Sequence, residues 1–236
     1  MKKNKKALRK VYRSGKYLFK DFGNDVNEAK NTLALLKMFR ASAGTSVIHG
    51  YSITATDAWH NSDKSSCIMM PCHNGVTLDN LPGEAFFDAV ITVSSWLASH
   101  LDKKDLKERD YIHGDLHAGN IILLEKQKRI VFIDALCREA TPRNIWLDLL
   151  LLSVSIALKL DSRQLKRLQH RLFGDIILQK AALAKRRLMM RQALVLGRFF
   201  LRSENSLREK LQALHALMLA VKNFHLMMSY QKQPVS

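Results

Sequence analysis

The segment YIHGDLHAGNIIL, residues 111–123, places two histidines, an aspartate and two glycines between short apolar runs. It is followed by RIVFID, residues 129–134, an apolar run that ends on an acid. Short apolar runs bounded by turn residues are typical of buried strands. Polar side chains concentrated between two such strands indicate a site of chemistry rather than of packing.

The spacing of three polar residues in this region matches the needs of phosphoryl transfer from ATP. That reaction needs a carboxylate to orient the attacking hydroxyl, and oxygen ligands to hold Mg²⁺ on the phosphates. Asp115 precedes Asn120 by five residues, the separation of base and metal-binding asparagine in a kinase catalytic loop. Asp134 follows fourteen residues later at the end of a strand. Taken singly, each is an ordinary turn or cap residue.

The motif HGDLHAGN followed by FID resembles the catalytic and metal-binding loops of the protein-kinase-like fold. This version of the motif is found in the aminoglycoside phosphotransferase, choline kinase and lipopolysaccharide core kinase branches. The resemblance covers roughly residues 8–150. It implies an α+β, two-lobed fold, with a small antiparallel amino-terminal lobe carrying one helix and a larger helical carboxy-terminal lobe.

The same resemblance implies roles for individual residues, with ATP and Mg²⁺ as cofactors. Asp115 would be the catalytic base, and Asn120 and Asp134 the magnesium ligands. His113 would brace the catalytic loop, and Asp148 would support that loop from beneath.

The pattern of strands and helices divides the chain at a Gly-containing connector. Residues 1–73 are predicted to form an abbreviated nucleotide-binding lobe, and residues 74–236 the catalytic and helical lobe. A hairpin is expected near Ser14–Gly15, and Asp25 is a suitable N-cap for the helix that follows. Two more strands are predicted over 45–60 and 65–71, separated by a polar turn at 61–64, and helices over 84–101 and through most of 144–230.

The resemblance also implies a lysine for the nucleotide phosphates and a helix glutamate that holds it. Lys20 and Glu28 match these positions. Lys16 competes with Lys20, because strand alternation places both on one face. Glu28 has an alternative role as the third residue of a capping box that starts at Asp25.

The segment CIMMPCHNG resembles the hinge that receives adenine. Met70 would line the back of the adenine pocket, Pro71 would offer its carbonyl, and His73 would supply a backbone N–H. Two departures count against a signalling protein kinase: no glycine-rich loop precedes Lys20, and Ala-Leu follows Asp134 where Phe-Gly would stand.

Charge gives the strongest indication of partners. Lys and Arg outnumber Asp and Glu by 38 to 21, for a net charge of +17. Residues 1–20 hold nine basic residues and no acid, and residues 159–191 hold ten against two. Such surfaces attract polyanions, so an anionic glycolipid or sugar acceptor and peripheral contact with an anionic membrane are expected. Nucleic acid is disfavoured because no aromatic-rich RNA-binding pattern accompanies the basic runs.

The favoured interpretation is an ATP-dependent phosphotransferase that acts on a sugar hydroxyl of the lipopolysaccharide core. Three cysteines without metal-ligand spacing and the lack of a secretory signal predict a cytoplasmic protein. The basic surface predicts peripheral contact with the inner face of the cell membrane. Two alternatives are a soluble small-metabolite kinase and a non-catalytic, basic binding module on a kinase-like scaffold. The sequence does not indicate an oligomeric state.

Overall fold

A computed structural model describes residues 10–60, 66–102, 111–141, 144, 147–157, 163–164, 186–203 and 206–230. Its helices are α1 Val26–Ala43, α2 Gly83–Asp102, α3 Leu147–Ala157, α4 Arg186–Arg202 and α5 Leu207–Tyr230. Its strands are β1 Lys10–Ser14, β2 Tyr17–Asp21, β3 Thr45–Ile48, β4 Tyr51–Ala55, β5 Trp59–His60, β6 Cys67–Pro71, β7 Val76–Thr77, β8 Tyr111–Ile112, β9 Ile121–Leu124, β10 Arg129–Phe132 and β11 Arg138–Glu139. Short 3₁₀ helices span Leu78–Asn80, Ala118–Asn120 and Glu125–Gln127.

The first sheet is antiparallel and has the strand order β1-β2-β6-β5. Gly15 closes the β1–β2 hairpin with a φ of 59°, a conformation that glycine adopts without steric cost. The predicted hairpin is therefore confirmed. Helix α1 covers one face of this sheet, and a small buried cluster joins the two through Phe22, Ala29, Leu33, Leu36, Ala58, Ile68 and Met70.

Helix α1 begins and packs as its sequence predicts. The Asp25 side chain accepts a hydrogen bond of 2.8 Å from the Glu28 backbone N–H, which satisfies a donor that the first helical turn leaves open. Ala29, Leu33, Leu36, Phe39 and Ala43 recur at three- or four-residue spacing, and all are buried. The N-cap and the buried face of the helix are both confirmed.

The second sheet has the order β3-β4-β10-β9-β7 and is mixed. Strand β10 pairs antiparallel with β9 but parallel with β4. The prediction of a single strand over 45–60 is wrong, because the structure has three strands there, β3, β4 and β5. His49 and Gly50 both have positive φ, 50° and 77°, and they turn the chain between β3 and β4. The predicted turn at 61–64 lies outside the described residues.

The carboxy-terminal region is helical and shares one large core with the second sheet. Trp96 of α2 lies 4.5 Å, centroid to centroid, from the Phe132 ring of β10, and α3 is buried along most of its length. The predicted α+β class, with an antiparallel amino-terminal sheet and a helical carboxy-terminal region, is confirmed and agrees with a kinase-like fold. The helices predicted through 144–230 are confirmed for α3, α4 and α5.

The second sheet spans the predicted lobe boundary at residue 73, since β4 lies before it and β10 after it. Most of the basic segment 159–191 lies outside the described residues. In the part of the chain that the structure describes, no helix has the length and apolar character needed to cross a bilayer.

Candidate active site

His113 anchors the loop that joins β8 to β9. Its imidazole is fully buried, with Nε2 2.9 Å from the Ile133 carbonyl oxygen. Because a carbonyl only accepts, Nε2 carries the proton, and Nδ1 accepts the Asp115 backbone N–H at 3.3 Å. Burial lowers the pKa of His113 to about 4, so the ring is neutral near pH 7. The placement of this ring agrees with the bracing role predicted for it.

Asp148, at the start of α3, lies beneath the same loop. Its two carboxylate oxygens accept the backbone N–H groups of His113 and Gly114, each at 2.8 Å. Burial raises the pKa of Asp148 to about 6, although these N–H donors oppose the increase by stabilising the carboxylate. The structure thus brings Asp148 to the place that the sequence predicted.

Hydrogen bonds with the backbone hold Asn120 between Asp115 and the end of β10. Its side chain is 7% exposed, and Nδ2 donates to the Asp115 carbonyl oxygen at 3.0 Å. The Ile133 N–H donates to the Asn120 carbonyl at 3.0 Å, which ties this loop to the end of β10. Within the described residues, the amide Oδ1 of Asn120 makes no hydrogen bond. The Asp115 carboxylate, by contrast, is 41% exposed and accessible.

Lys20 reaches from the first sheet to the end of β10. Its Nζ lies 3.2 Å from Asp134 Oδ1, and the two side chains are 19% and 52% exposed. Asp134 has a φ of 53°, a conformation that is uncommon for residues other than glycine and is often found at functional sites. Two of the predicted site residues from distant parts of the chain therefore meet.

Lys16 lies elsewhere. It precedes β2, so the strand alternation that would have placed it beside Lys20 does not apply, and its Nζ lies 5.5 Å from the centroid of the Tyr17 ring. Lys20 pairs with Asp134, and the backbone N–H of Glu28 is bonded to the Asp25 cap. A role for Glu28 in holding Lys20 stays a prediction.

The predicted hinge, residues 67–75, consists of strand β6 of the first sheet and the connector that leads to β7. Met70 is buried in the small core between the first sheet and α1, and Pro71 ends the strand. His73 Nε2 lies 3.0 Å from Thr56 Oγ1, and burial, followed by the nearby charge of Arg129, lowers its pKa. Contacts to adenine from Met70, Pro71 and His73 stay predictions.

His117 and Asp79 flank the catalytic loop. His117 Nδ1 accepts the Gly119 N–H at 3.1 Å, and its Nε2 lies 3.9 Å from Asp115 Oδ2. A Cβ on Gly119 would lie 3.0 Å from the His117 ring and 3.4 Å from Asp79 Oδ2, so all three residues are close together. The other carboxylate oxygen of Asp79 is buried without a hydrogen-bond partner. Sequence reasoning missed Asp79, for which an acid in the connector was the only signal.

The oxygen ligands present suit a hard divalent cation such as Mg²⁺. The Asn120 amide oxygen and the Asp134 carboxylate are the side chains that could hold it. Among the residues that the structure describes, no group of three or more His, Cys, Asp and Glu is arranged to bind a metal. A magnesium ion here would therefore depend on nucleotide phosphates for further ligands, which is common for this metal.

Comparison with known proteins yields little beyond this geometry. No protein-family model matches the sequence, and no curated protein matches it. Among solved structures, a choline/ethanolamine kinase family protein from Mesorhizobium loti is similar at 15% identity, with a TM-score of 0.41. The match covers 95% of this chain and 85% of that one. Neither the identity nor the TM-score is high enough to transfer an activity to this chain.

Proposed function

We propose that this protein is an ATP-dependent phosphotransferase that acts on a hydroxyl group. The observation that carries the proposal is the arrangement around the end of β10. Asp134 meets Lys20 of the first sheet, while the backbone of the preceding residue, Ile133, bonds both His113 and Asn120. Base, amide ligand, carboxylate ligand and lysine are thereby held in one connected set.

Each side chain of this set has a role that fits its surroundings. Asp115 is exposed and accepts the proton of the attacking hydroxyl. Its position is fixed through its backbone, because its N–H donates a hydrogen bond to His113 Nδ1 and its carbonyl oxygen accepts one from Asn120 Nδ2. Lys20 leaves Asp134 to contact the nucleotide phosphates. Asn120 and Asp134 would hold Mg²⁺, which supplies neutralisation of charge on the phosphoryl oxygens.

The acceptor we propose is a sugar hydroxyl of the lipopolysaccharide core. The net charge of +17 supports an anionic acceptor, since a basic surface raises the encounter rate with anions. It equally disfavours a polycationic acceptor such as an aminoglycoside.

We further propose that the protein works in the cytoplasm at the inner face of the membrane. Helix α4 contains five arginines and no acid. Its exposed apolar side chains are Leu194, Val195, Phe199 and Leu201. A helix that combines exposed apolar groups with arginines suits the surface of an anionic bilayer.

Thermal unfolding with and without Mg·ATP tests the phosphotransferase proposal. At a nucleotide concentration about 100 times the Kd, binding stabilises the folded state by about 2.7 kcal/mol, enough to raise Tm by several degrees. Asp134→Asn is expected to abolish this increase. Asp57→Asn is the matched control, because Asp57 is similarly exposed (51%) and has one ion pair, to Arg40 at 3.1 Å.

Asp115→Asn separates nucleotide binding from chemistry. This variant should keep the Mg·ATP stabilisation but lose at least about 10²-fold in phosphotransfer, since the base contacts the acceptor rather than the nucleotide. If wild-type protein shows no Mg·ATP stabilisation, the proposal fails and a non-catalytic basic module becomes the better account. Equal stabilisation of wild type and Asp134→Asn would remove Asp134 from the site.

A further inference from the structure

The side chain of Arg138 lies over Gly114, the residue that precedes Asp115. A Cβ on Gly114 would lie 3.2 Å from Arg138 Cγ, 3.4 Å from Cδ and 3.5 Å from Nε. Gly114 also has a φ of 82°, so a side chain at this position would be strained as well as crowded. Because Gly114 has no side chain, the Arg138 side chain can occupy this space.

Backbone contacts hold Arg138 in this place. The Cys137 N–H donates to the His113 carbonyl at 3.0 Å, and Cys137 has a φ of 46°, which turns the chain just before β11. Arg138 then pairs with Ile112 across the two-stranded β11–β8 sheet. The arginine is thus attached to both ends of the segment 112–114 and is not a freely placed surface residue.

The guanidinium of Arg138 has no acidic partner in the part of the chain that the structure describes. Arginine cannot lose its charge in a protein, so within the described residues this guanidinium is a cation without a counter-charge, beside the loop that bears Asp115. Asp148, which supports this loop, is buried, and its oxygens accept the backbone N–H groups of His113 and Gly114. Arg40, in contrast, is neutralised by Asp57.

We infer that Arg138 forms an anion-binding subsite for the acceptor. This inference rests on the phosphotransferase function proposed above. The acceptor carries a phosphate or carboxylate group near the hydroxyl that reacts. Arg138 binds that anion with its fork of N–H donors, a geometry suited to both groups. This contact positions the hydroxyl at Asp115. A cationic acceptor such as choline is repelled by the same side chain.

Inorganic phosphate is the probe for this subsite, because it requires neither nucleotide nor an identified acceptor. In the nucleotide-free protein, NMR titration should show saturable shifts of the Arg138 Nε–H and Gly114 amide resonances. Arg138→Gln is expected to weaken the phosphate response at Gly114 at least about tenfold, whereas Arg138→Lys should keep part of it. Arg202→Gln, which removes an equal charge from the end of α4, is the matched control and should match wild type.

The outcomes separate Arg138 from the nucleotide site and from non-specific attraction. An equal phosphate response at Gly114 in wild type, Arg138→Gln and Arg202→Gln overturns the inference, as does no response in wild type. Mg·ATP stabilisation measured on the same variants should be unchanged by Arg138→Gln. Loss of the Mg·ATP stabilisation in Arg138→Gln would show that the arginine contacts a nucleotide phosphate, and this result would also overturn the inference. Absence of Mg·ATP binding in wild type would instead count against the proposed function.

Discussion

Replacing Asp148 by Asn should change how the stability of this protein depends on pH. Burial raises the pKa of this carboxyl from 3.8 to about 6 in the folded chain. The folded state therefore binds the Asp148 proton more tightly than the unfolded state does. Its contribution to stability is fully present below about pH 4 and is lost as the pH rises through 6. The pKa difference of about two units between the folded and unfolded states corresponds to a free energy of about 3 kcal/mol.

His113 contributes in the opposite direction over nearly the same interval. Its pKa falls from 6.5 to about 4, so the folded state loses stability as the pH falls from 6.5 through 4. The two effects oppose each other in the wild-type curve. They separate in the difference between wild type and Asp148→Asn, because the asparagine does not titrate while His113 is present in both proteins.

Urea unfolding followed by circular dichroism at pH 4, 5, 6 and 7 measures this difference. Asparagine offers one oxygen where the carboxylate has two, so one of the N–H groups that Asp148 accepts loses its partner at every pH. That loss adds a constant cost of about 1–3 kcal/mol to the variant. The advantage of wild type over Asp148→Asn is expected to decrease by about 2.5 kcal/mol from pH 4 to pH 7, because part of the full contribution is already lost at pH 4. An advantage that stays constant within about 1 kcal/mol would refute the assignment of a burial-raised pKa to Asp148.

Two further substitutions test the nucleotide lysine and the connector. Lys20→Met should weaken Mg·ATP binding about tenfold to a hundredfold, which is the range for the loss of one charge-assisted hydrogen bond. Lys16→Met should change this affinity little. Equal effects of the two substitutions in calorimetry would contradict the choice of Lys20. Gly75→Ala would place a Cβ 2.5 Å from Ile122 Cγ2 and should cost about 1–3 kcal/mol by overpacking. Gly197→Ala, whose Cβ meets nothing closer than 3.4 Å, should be neutral or stabilising, and similar melting temperatures for both variants would argue against a tight connector.

Local patterns in the sequence were sufficient to predict helix α1. The Asp25 cap and the buried face of α1 depend on neighbours within a few residues, so the sequence pattern contains the whole cause. The spacing of Asp115, Asn120 and Asp134 predicts a catalytic role for the loop between β8 and β9, and that role stays a prediction. The structure brings the predicted Lys20 to Asp134, although the chain separates them by 114 residues.

Long-range partners could not be predicted in the same way. A pattern of apolar residues shows that β4 is a strand but does not show that it pairs with β10 rather than β6. The placement of Arg138 over Gly114 depends on a left-handed backbone at Cys137, a residue type that does not favour that conformation. Asp79 comes close to His117 only through the packing of two short helices.

The parallel ladder between β4 and β10 limits which parts of the molecule can move relative to one another. Its register of four residue pairs would be lost if β4 shifted against the strand that ends at Asp134. The second sheet is therefore expected to move as one unit, so any movement that separates the two sheets displaces the first sheet relative to it. Lys20 travels with that sheet while Asp134 stays behind. The distance of 3.2 Å between Lys20 Nζ and Asp134 Oδ1 therefore depends on the position of the first sheet, and a fluorophore pair on β1 and β9 would report a displacement of that sheet directly.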